Sequence, residues 1–475
     1  MRGRCGEGAR TVVLAALVLL LLASTRWEGA KARPAAWGHL GAGSSQRARN
    51  VVMVMCDAFD GRLTFYPGNQ TVILPFINLM KRYGTVFLNA YTNSPICCPS
   101  RAAMWSGLFT HLTESWNNFK GLDPNYTTWM DLMQKHGYHT QKYGKLDYTS
   151  GHHSVSNRVE AWTRDVDFLL RQEGRPMVNL TGNKTFMRVM EEDWQNTDKA
   201  TSWIRKEATS FNQPFVLYLG LNLPHPYPSP STGENFGSST FLTSPYWLEK
   251  VTYEAIKIPK WPPLSDMHPV DYYSSYTKNC TGQFTRKEIR DIRAFYYAMC
   301  AETDAMLDIA RIPIPQNLSG YSLIPLLAEM AEDDVSSRRL HPPWVLSEFH
   351  GCNVNSSTYM LRTDKWKYIA YSDGHSVPSQ LFDLSADPDE LTNIATTFPE
   401  VTHFLDKKLR SIVNYPRISA SVHKYNKKQF INWKQSLGQN YSNVIANLRW
   451  HQDWLKEPRK YKDAIHRWLQ MNTNE

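Results

Sequence analysis

The chain is short of three things: cysteine, with 7 in 475 residues; long apolar runs, of which there is one, near its start; and acidic charge, with 44 Asp and Glu against 53 Lys and Arg. So few cysteines exclude the disulfide-dense scaffold of small secreted domains. Cys280, Cys300 and Cys352 remain candidates for pairing, and their spacing fixes no connectivity. There is no Walker loop, no Cys/His spacing of a zinc module and no internal repeat, which removes P-loop chemistry, zinc fingers and solenoids; no nucleic-acid partner is expected. The lone apolar run, Val12 to Ala23, is too short to span a bilayer with ease. Arg2, Arg4 and Arg10 precede it and small and polar residues follow, the order of a secretory signal peptide over residues 1–25, with a Gly/Ala/Ser-rich linker over 26–48. An uncleaved anchor is the alternative, because Trp27, Glu28 and Lys31 blur the cleavage site, but no stable membrane anchor is expected. Cys5 leaves with the signal peptide.

With 42% hydrophobic and 12% aromatic residues, the rest can bury a large core, one large domain with a smaller one beside it. Eight Asn-x-Ser/Thr triplets, at Asn69, Asn125, Asn179, Asn183, Asn279, Asn317, Asn355 and Asn440, are glycan acceptors for a chain that enters the secretory lumen. The net charge of +9 excludes the 15 histidines, so an acidic compartment makes the chain more cationic and favours polyanionic substrates. A soluble basic surface without a partner is the plainer alternative.

Val51 to Met55 read as a buried strand that ends at Cys56 and Asp57, with Asp60 close behind. An acidic residue at the carboxyl end of such a strand lies where open α/β sheets collect ligands. Leu74 to Gly84 has helical spacing and Val86 to Tyr91 returns as a strand. Trp129 to His136 is a helix stopped by Gly137, and Phe215 to Leu221 is an apolar strand running into Pro224, His225 and Pro226. The alternation predicts an α/β domain over residues 49–310, its central, mostly parallel sheet flanked by helices. From Pro342 onward, Trp344–Phe349, Tyr359–Arg362 and Trp366–Ala370 are short strands of an antiparallel subdomain, given the bounds 311–398. A basic helical tail over 399–475 follows, with helical periodicity in Val401–Ile412, Gln429–Leu437 and Val444–Trp454.

The sharpest motif is Cys97-Cys98-Pro99-Ser100-Arg101, followed by Ala102, Ala103, Ser106 and Gly107. A Cys-Cys turn capped at a helix start is the structural alternative. The pentapeptide resembles the signature of sulfatases, in which the first cysteine, here Cys97, is oxidised by a formylglycine-generating enzyme to formylglycine (3-oxoalanine). The resemblance implies a hydrated aldehyde that attacks sulfur with one oxygen and expels sulfate with the other. Pro99 and Ser100 open a helix whose N-terminus favours an anion, and Arg101 adds a fixed charge. Gly137, Tyr138, Thr140, Gly144 and Lys145 resemble the second signature, in which the lysine reaches the sulfate. Asp57 is similar to a ligand of the family's calcium ion, and His225 to a histidine that protonates the leaving alcohol or contacts sulfate. His268 is a further substrate-binding candidate, with a surface-loop role as its alternative. Leu381 to Leu384 with Asp387, Pro388, Glu390 and Asn393 complete the resemblance. It implies an alkaline-phosphatase-like fold and a lysosomal or secreted exosulfatase acting on the 2-sulfate of a uronic acid in glycosaminoglycans, or on aryl sulfates.

Four departures stand against that pattern. Ala58 occupies a place where relatives carry a second carboxylate or amide; Asp60 either substitutes or serves a turn. Asp147 and Tyr148 stand where the family has a histidine, leaving His152 and His153 as uncertain substitutes. The strand ending in Asp-His-Gly or Asp-Asn-Gly, expected after the helix around Ile292 to Leu307, is absent: Leu307 runs straight into Asp308-Ile309-Ala310-Arg311. Asp373-Gly374-His375 has the wrong order and reads as a turn. The chain therefore reads as internally shortened near 307–308, with an incomplete metal site and weak or no turnover. A catalytically inactive glycoprotein that binds sulfated glycans, or is retained and degraded, is the alternative. A phosphoesterase on the same superfold is a third.

Overall fold

The computed structural model describes residues 50–88, 90–150, 174–228, 239–281, 284–307, 343–350, 356–446 and 457–470. The signal peptide and linker, Cys5, His152, His153, Asn317, Cys352, Asn355, the junction at 307–308 beyond Leu307 and most of Val444–Trp454 lie outside them. Residues 48–475 form one compact unit.

Among the described residues, three parallel strands make the central sheet: β1 (Val51–Met55), β2 (His139–Gly144) and β4 (Phe215–Gly220), in the order β1-β4-β2. Val51 faces Val216 on one side of β4 and His139 faces Phe215 on the other. Every residue of β4 is buried, as its unbroken apolar run requires of a strand covered on both faces. Its side chains divide with period two. Leu217 and Leu219 pack with Ala200 and Trp203 of α4 (Glu191–Lys206) and with Met299 and Met306 of α6 (Arg286–Met306). Val216 and Tyr218 pack on the opposite face with Ala102 and Trp105 of α2 (Cys97–Ser106) and Met130 of α3 (Trp129–Lys135). Helices therefore cover both faces of a parallel sheet, as expected.

The bounds of α3 follow from Thr128, whose side chain caps the Asp131 amide while Asp131 caps Thr128 in return, and from Gly137 in the left-handed region at φ +87°. α6 begins with the same reciprocal capping by Thr285 and Glu288. A small side sheet joins β3 (Met177–Leu180), β6 (Ser239–Thr243) and β5 (Tyr227–Pro228).

The C-terminal antiparallel sheet runs β10-β9-β8-β7, from β7 (Val345–Phe349), β8 (Thr358–Arg362), β9 (Trp366–Tyr371) and β10 (Gln380–Asp383). The tail is helical: α7 (Pro399–Ile412), α8 (Tyr415–Leu437), a short helix Tyr441–Ala446, and α9 (Pro458–Gln470). Leu405 and Leu409 of α7 share one core with Leu346, Tyr359, Leu361 and Leu381 of the sheet. The start of the tail thus packs as part of the subdomain it follows.

Two expectations need correction. The described residues of Val86 to Tyr91 form no strand; Val86, Phe87, Leu88 and Tyr91 are exposed, Leu88 at 73%. Their apolar, β-branched and aromatic side chains suit a strand, but among the described residues β1 has a neighbour on one side only and no strand pairs with 86–91. Cys300 is buried on α6 as a thiol, not a disulfide partner, and the Cys280 thiol donates to the Lys278 carbonyl at 3.3 Å.

Candidate active site

Parallel strands bring their carboxyl ends to one edge of a sheet, and the chemistry-bearing residues lie just beyond those ends. Asp57 follows β1, Lys145 follows β2 and His225 follows β4. Two glycines make the close approach there feasible. A Cβ on Gly144 would lie 2.0 Å from the Gly220 carbonyl oxygen, and one on Gly220 would lie 2.0 Å from that of Lys145. With both side chains absent, the Lys145 amide donates to the Gly220 carbonyl at 2.9 Å.

Cys97 is the first residue of α2, after Ile96 in extended conformation, and Gly107 closes the helix with a left-handed φ of +71°. The two adjacent cysteines are not equivalent. Cys98 is 1% exposed, its amide donates to Asn118 Oδ1 at 2.9 Å, and burial pushes its thiol up to about 12; Cys97 is half-buried at the helix N-terminus. Cys97 therefore has the reach for chemistry, and Cys98 serves packing.

Arg101, one turn on, is 2% exposed. Its guanidinium donates to the Lys145 carbonyl at 2.8 Å and the Tyr218 hydroxyl at 2.9 Å, and lies 3.6 Å from Asp57 Oδ2. It supports the site from behind. Lys145 Nζ sits 2.6 Å from Asp57 Oδ2 and 3.6 Å from Asp147 Oδ2. Burial opposes charge on both members of the 2.6 Å pair, yet their attraction prevails: the Asp57 carboxyl is held below its ordinary value and the Lys145 ammonium above its own, the latter also through Cys97 and Asp147. Ala58 and Asp147 both take the left-handed backbone, at φ +60° and +38°, an uncommon state for residues with a Cβ that clusters at functional sites.

His225 stands beyond the carboxyl end of β4, exposed as a whole residue. Nδ1 meets the Pro226 carbonyl at 2.7 Å, an acceptor only, so Nδ1 carries the proton and Nε2 keeps its lone pair in the neutral ring. Crowding by the surrounding protein lowers its pKa below the ordinary 6.5, with Asp57 opposing and Lys145 adding to the shift. Protonation of Nε2 therefore requires acid.

The structure does not bring His268 into this cluster. It caps α5 (Pro269–Thr277), Nδ1 accepting from the Val270 amide at 3.3 Å and Nε2 donating to the Pro378 carbonyl at 2.6 Å, with the ring stacked on Tyr371. Both nitrogens are used in holding the fold, which corrects the substrate-binding expectation. Asp60 takes its turn alternative, with both carboxylate oxygens on Arg62. Asp373 likewise accepts from the His375 and Ser376 amides in a turn.

A hard divalent ion needs about six oxygens or more. Asp57 is the carboxylate in the expected place, Asp147 faces Lys145 at 3.6 Å, and the further buried carboxylates accept hydrogen bonds, with Glu302 Oε2 left without one. Asp193 accepts from Asn222 and Leu223, Asp304 from the Phe76 and Ile77 amides, and Glu302 from Val189, Met190 and Trp194. The Ala58 carbonyl accepts from the Tyr296 hydroxyl. No group of three His, Cys, Asp or Glu side chains is placed to hold a metal among the described residues. These residues do not fit calcium.

Of the glycan acceptors, Asn69, Asn125, Asn179, Asn183 and Asn440 are exposed and Asn279 is half-buried. No helix among the described residues is long and apolar enough to cross a membrane.

Comparison with known proteins agrees with this arrangement. The Sulfatase family model matches residues 49–309, and that of the N-sulphoglucosamine sulphohydrolase C-terminal region matches 290–414. Arylsulfatase K of Gallus gallus is 69% identical over 495 residues, spanning 88% of this chain and 92% of the relative. Arylsulfatase K of Homo sapiens is 66% identical over 513 residues, spanning 91% and 96%. That 91% of 475 residues is about 432, so about 80 of the 513 aligned positions have no counterpart in this chain. Among solved structures, the phosphonate monoester hydrolase of Agrobacterium radiobacter superposes with a TM-score of 0.56 at 14% identity, covering 77% of this chain and 95% of that one. A 2-O GAG sulfatase superposes at 0.50 with 17% identity, covering 78% and 92%. The fold is thus alkaline-phosphatase-like, and the chain belongs to the sulfatase family of sulfuric ester hydrolases.

Proposed function

We propose that the chain is a formylglycine-dependent sulfatase of the secretory pathway, lysosomal or secreted, built for the 2-sulfate of a terminal uronic acid in glycosaminoglycans. The shortened sheet and the incomplete ligand set reduce its turnover. The observation that carries this reading is the convergence of Cys97, Lys145 and His225 at one sheet edge. Converted by a formylglycine-generating enzyme, Cys97 supplies a hydrated aldehyde with one oxygen for attack on sulfur and a second for sulfate release. The N-terminus of α2 presents the positive end of the helix dipole to the sulfate. Lys145 supplies an ammonium to its oxygens, and Arg101 fixes α2 against β4 and the Lys145 backbone. His225 Nε2, once protonated, delivers a proton to the leaving alcohol; its lowered pKa ties that step to acidic conditions. A glycosaminoglycan suits the net charge of +9.

The test is sulfate release at acidic pH from a chromogenic ester and from an oligosaccharide ending in a 2-sulfated uronate. The secreted chain is compared with Cys97→Ala. Slow release, lost in the variant and faster on the oligosaccharide, supports the proposal; release undiminished in Cys97→Ala refutes it. A second reading, an inactive sulfated-glycan binder, is favoured by the engagement of Asp57 with Lys145 and Arg101. Heparin affinity that survives Cys97→Ala in a chain with no sulfate release supports that reading.

A further inference from the structure

The charges around the site already balance. Asp57 and Asp147 contribute two carboxylates, Lys145 and Arg101 contribute two cations, and His225 favours its neutral form. A cation site needs the opposite, carboxylates in excess of fixed positive charge. An ion on Asp57 Oδ2 would face the Lys145 ammonium, now 2.6 Å from that oxygen, and the Arg101 guanidinium at 3.6 Å, in a pocket whose side chains are about one-tenth exposed or less. Burial at that level keeps solvent from screening the repulsion.

We propose that in this chain Asp57 acts as the internal counter-ion of Lys145 rather than as a metal ligand, and so competes with sulfate for the ammonium. The inference rests on reading the Cys97–Lys145 pocket as an oxyanion site, and it adds a built-in competitor to that pocket. Three features support the arrangement. Lys145 is held from two sides, by Asp57 and by Asp147, which places the ammonium between two carboxylates. Arg101 backs Asp57 while holding the carbonyl of Lys145 itself, so counter-ion and lysine share one support. The position after Asp57 is Ala58, which has no side-chain oxygen to join Asp57 around a cation, and its carbonyl is taken by Tyr296.

The two roles of Asp57 give opposite outcomes for one near-isosteric substitution. A metal ligand lost in Asp57→Asn weakens anion binding. A counter-ion lost in the same variant frees Lys145, which remains beside Asp147, and strengthens it. The experiment titrates inorganic sulfate by calorimetry into the full secreted chain, Asp57→Asn and Lys145→Met, with and without calcium and at constant ionic strength. Circular dichroism verifies that each is folded. Wild type is expected to bind sulfate weakly and to the same extent with or without calcium, Asp57→Asn about tenfold more tightly, and Lys145→Met not at all. Direct titration of wild type with calcium serves as a second measurement and should show no stoichiometric binding, even if Asp57→Asn fails to fold. Calcium-dependent tightening of sulfate in wild type, or stoichiometric calcium binding lost in Asp57→Asn, overturns the proposal and leaves the oxyanion reading in place. Sulfate binding absent from wild type and from a folded Asp57→Asn alike overturns both.

Discussion

Arg101 donates to the Tyr218 hydroxyl at 2.9 Å, so the helix that begins with Cys97 is tied to the central strand of the sheet. The same guanidinium holds the Lys145 carbonyl and faces Asp57. Removing Tyr218's hydroxyl with Tyr218→Phe leaves those two contacts and should cost about 1 kcal/mol. Arg101→Met removes all three, leaving Asp57 with Lys145 and the Lys145 carbonyl with the Tyr218 hydroxyl at 3.3 Å, for a loss of about 2–3 kcal/mol. Arg101→Lys rescues little, because one ammonium cannot reproduce a planar fork. Urea unfolding followed by tryptophan fluorescence checks the order, and equal losses for Tyr218→Phe and Arg101→Met would contradict it.

Gly220 ends β4 where its absent side chain leaves room for the Lys145 carbonyl, 2.0 Å from where a Cβ would stand. Gly220→Ala must push β2 and β4 apart at their carboxyl ends. Gly144→Ala adds a backbone penalty, since Gly144 has φ +75°. Each should destabilise by on the order of 3 kcal/mol. In either variant any turnover should fall further than stability alone explains, because both glycines set the position of Lys145. Gly137→Ala is the control: it also has positive φ but meets nothing within 4 Å, so it should cost only about 1 kcal/mol.

Much of this could be read from the chain. β1 and β4 were legible as unbroken apolar runs, the end of α3 through Gly137, and the helix start at Cys97 through Pro99 and Ser100. Asp57 was legible from its place at the carboxyl end of an apolar strand, whereas Lys145 and His225 came from the resemblance to the sulfatase signatures. Val86 to Tyr91 misled, since residue type reports what a segment suits and cannot supply a neighbouring strand. His268 misled because a histidine before proline looks the same whether it meets a substrate or caps a helix. The first half of α8 was not read as a helix; Pro416 occupies its first turn, where proline is tolerated. The buried carboxylates Glu302 and Asp304 gave no signal at all, since their hydrogen-bond partners are more than a hundred residues away.

Those two carboxylates set a pH dependence. Burial raises Glu302 to about 7 and Asp304 to about 6. A group whose folded pKa exceeds its unfolded value contributes its stability in full below the unfolded value and loses it as pH rises through the folded one. Stability should therefore decline between about pH 4.5 and 7, by on the order of 3 kcal/mol from Glu302 alone. Below that window the sign reverses. Burial opposes ionisation of Asp57 and Glu348, but Lys145 and the histidines His111 and His350 hold both below their ordinary values, and that support is lost as pH falls. Melting temperature against pH should peak in the acidic range, and Glu302→Gln should flatten its neutral side. A wild-type maximum above pH 7 would refute the assignment.

The exposed apolar segment bears on how the chain behaves in solution. Val86, Phe87, Leu88 and Tyr91 face solvent, and Val52 on β1 is 40% exposed, while β1 has a paired neighbour on one side only among the described residues. Exposed apolar groups and an unpaired strand edge are each a template for association between chains. The purified chain should therefore bind a hydrophobic dye at native pH and enter soluble oligomers as its concentration rises. Leu88→Lys places a charge at the most exposed position of the segment and removes no buried contact. It should raise the monomer fraction in light scattering and lower dye binding, with the melting temperature unchanged. If Leu88→Lys lowers the melting temperature instead, Leu88 is packed in solution and the segment has a partner after all.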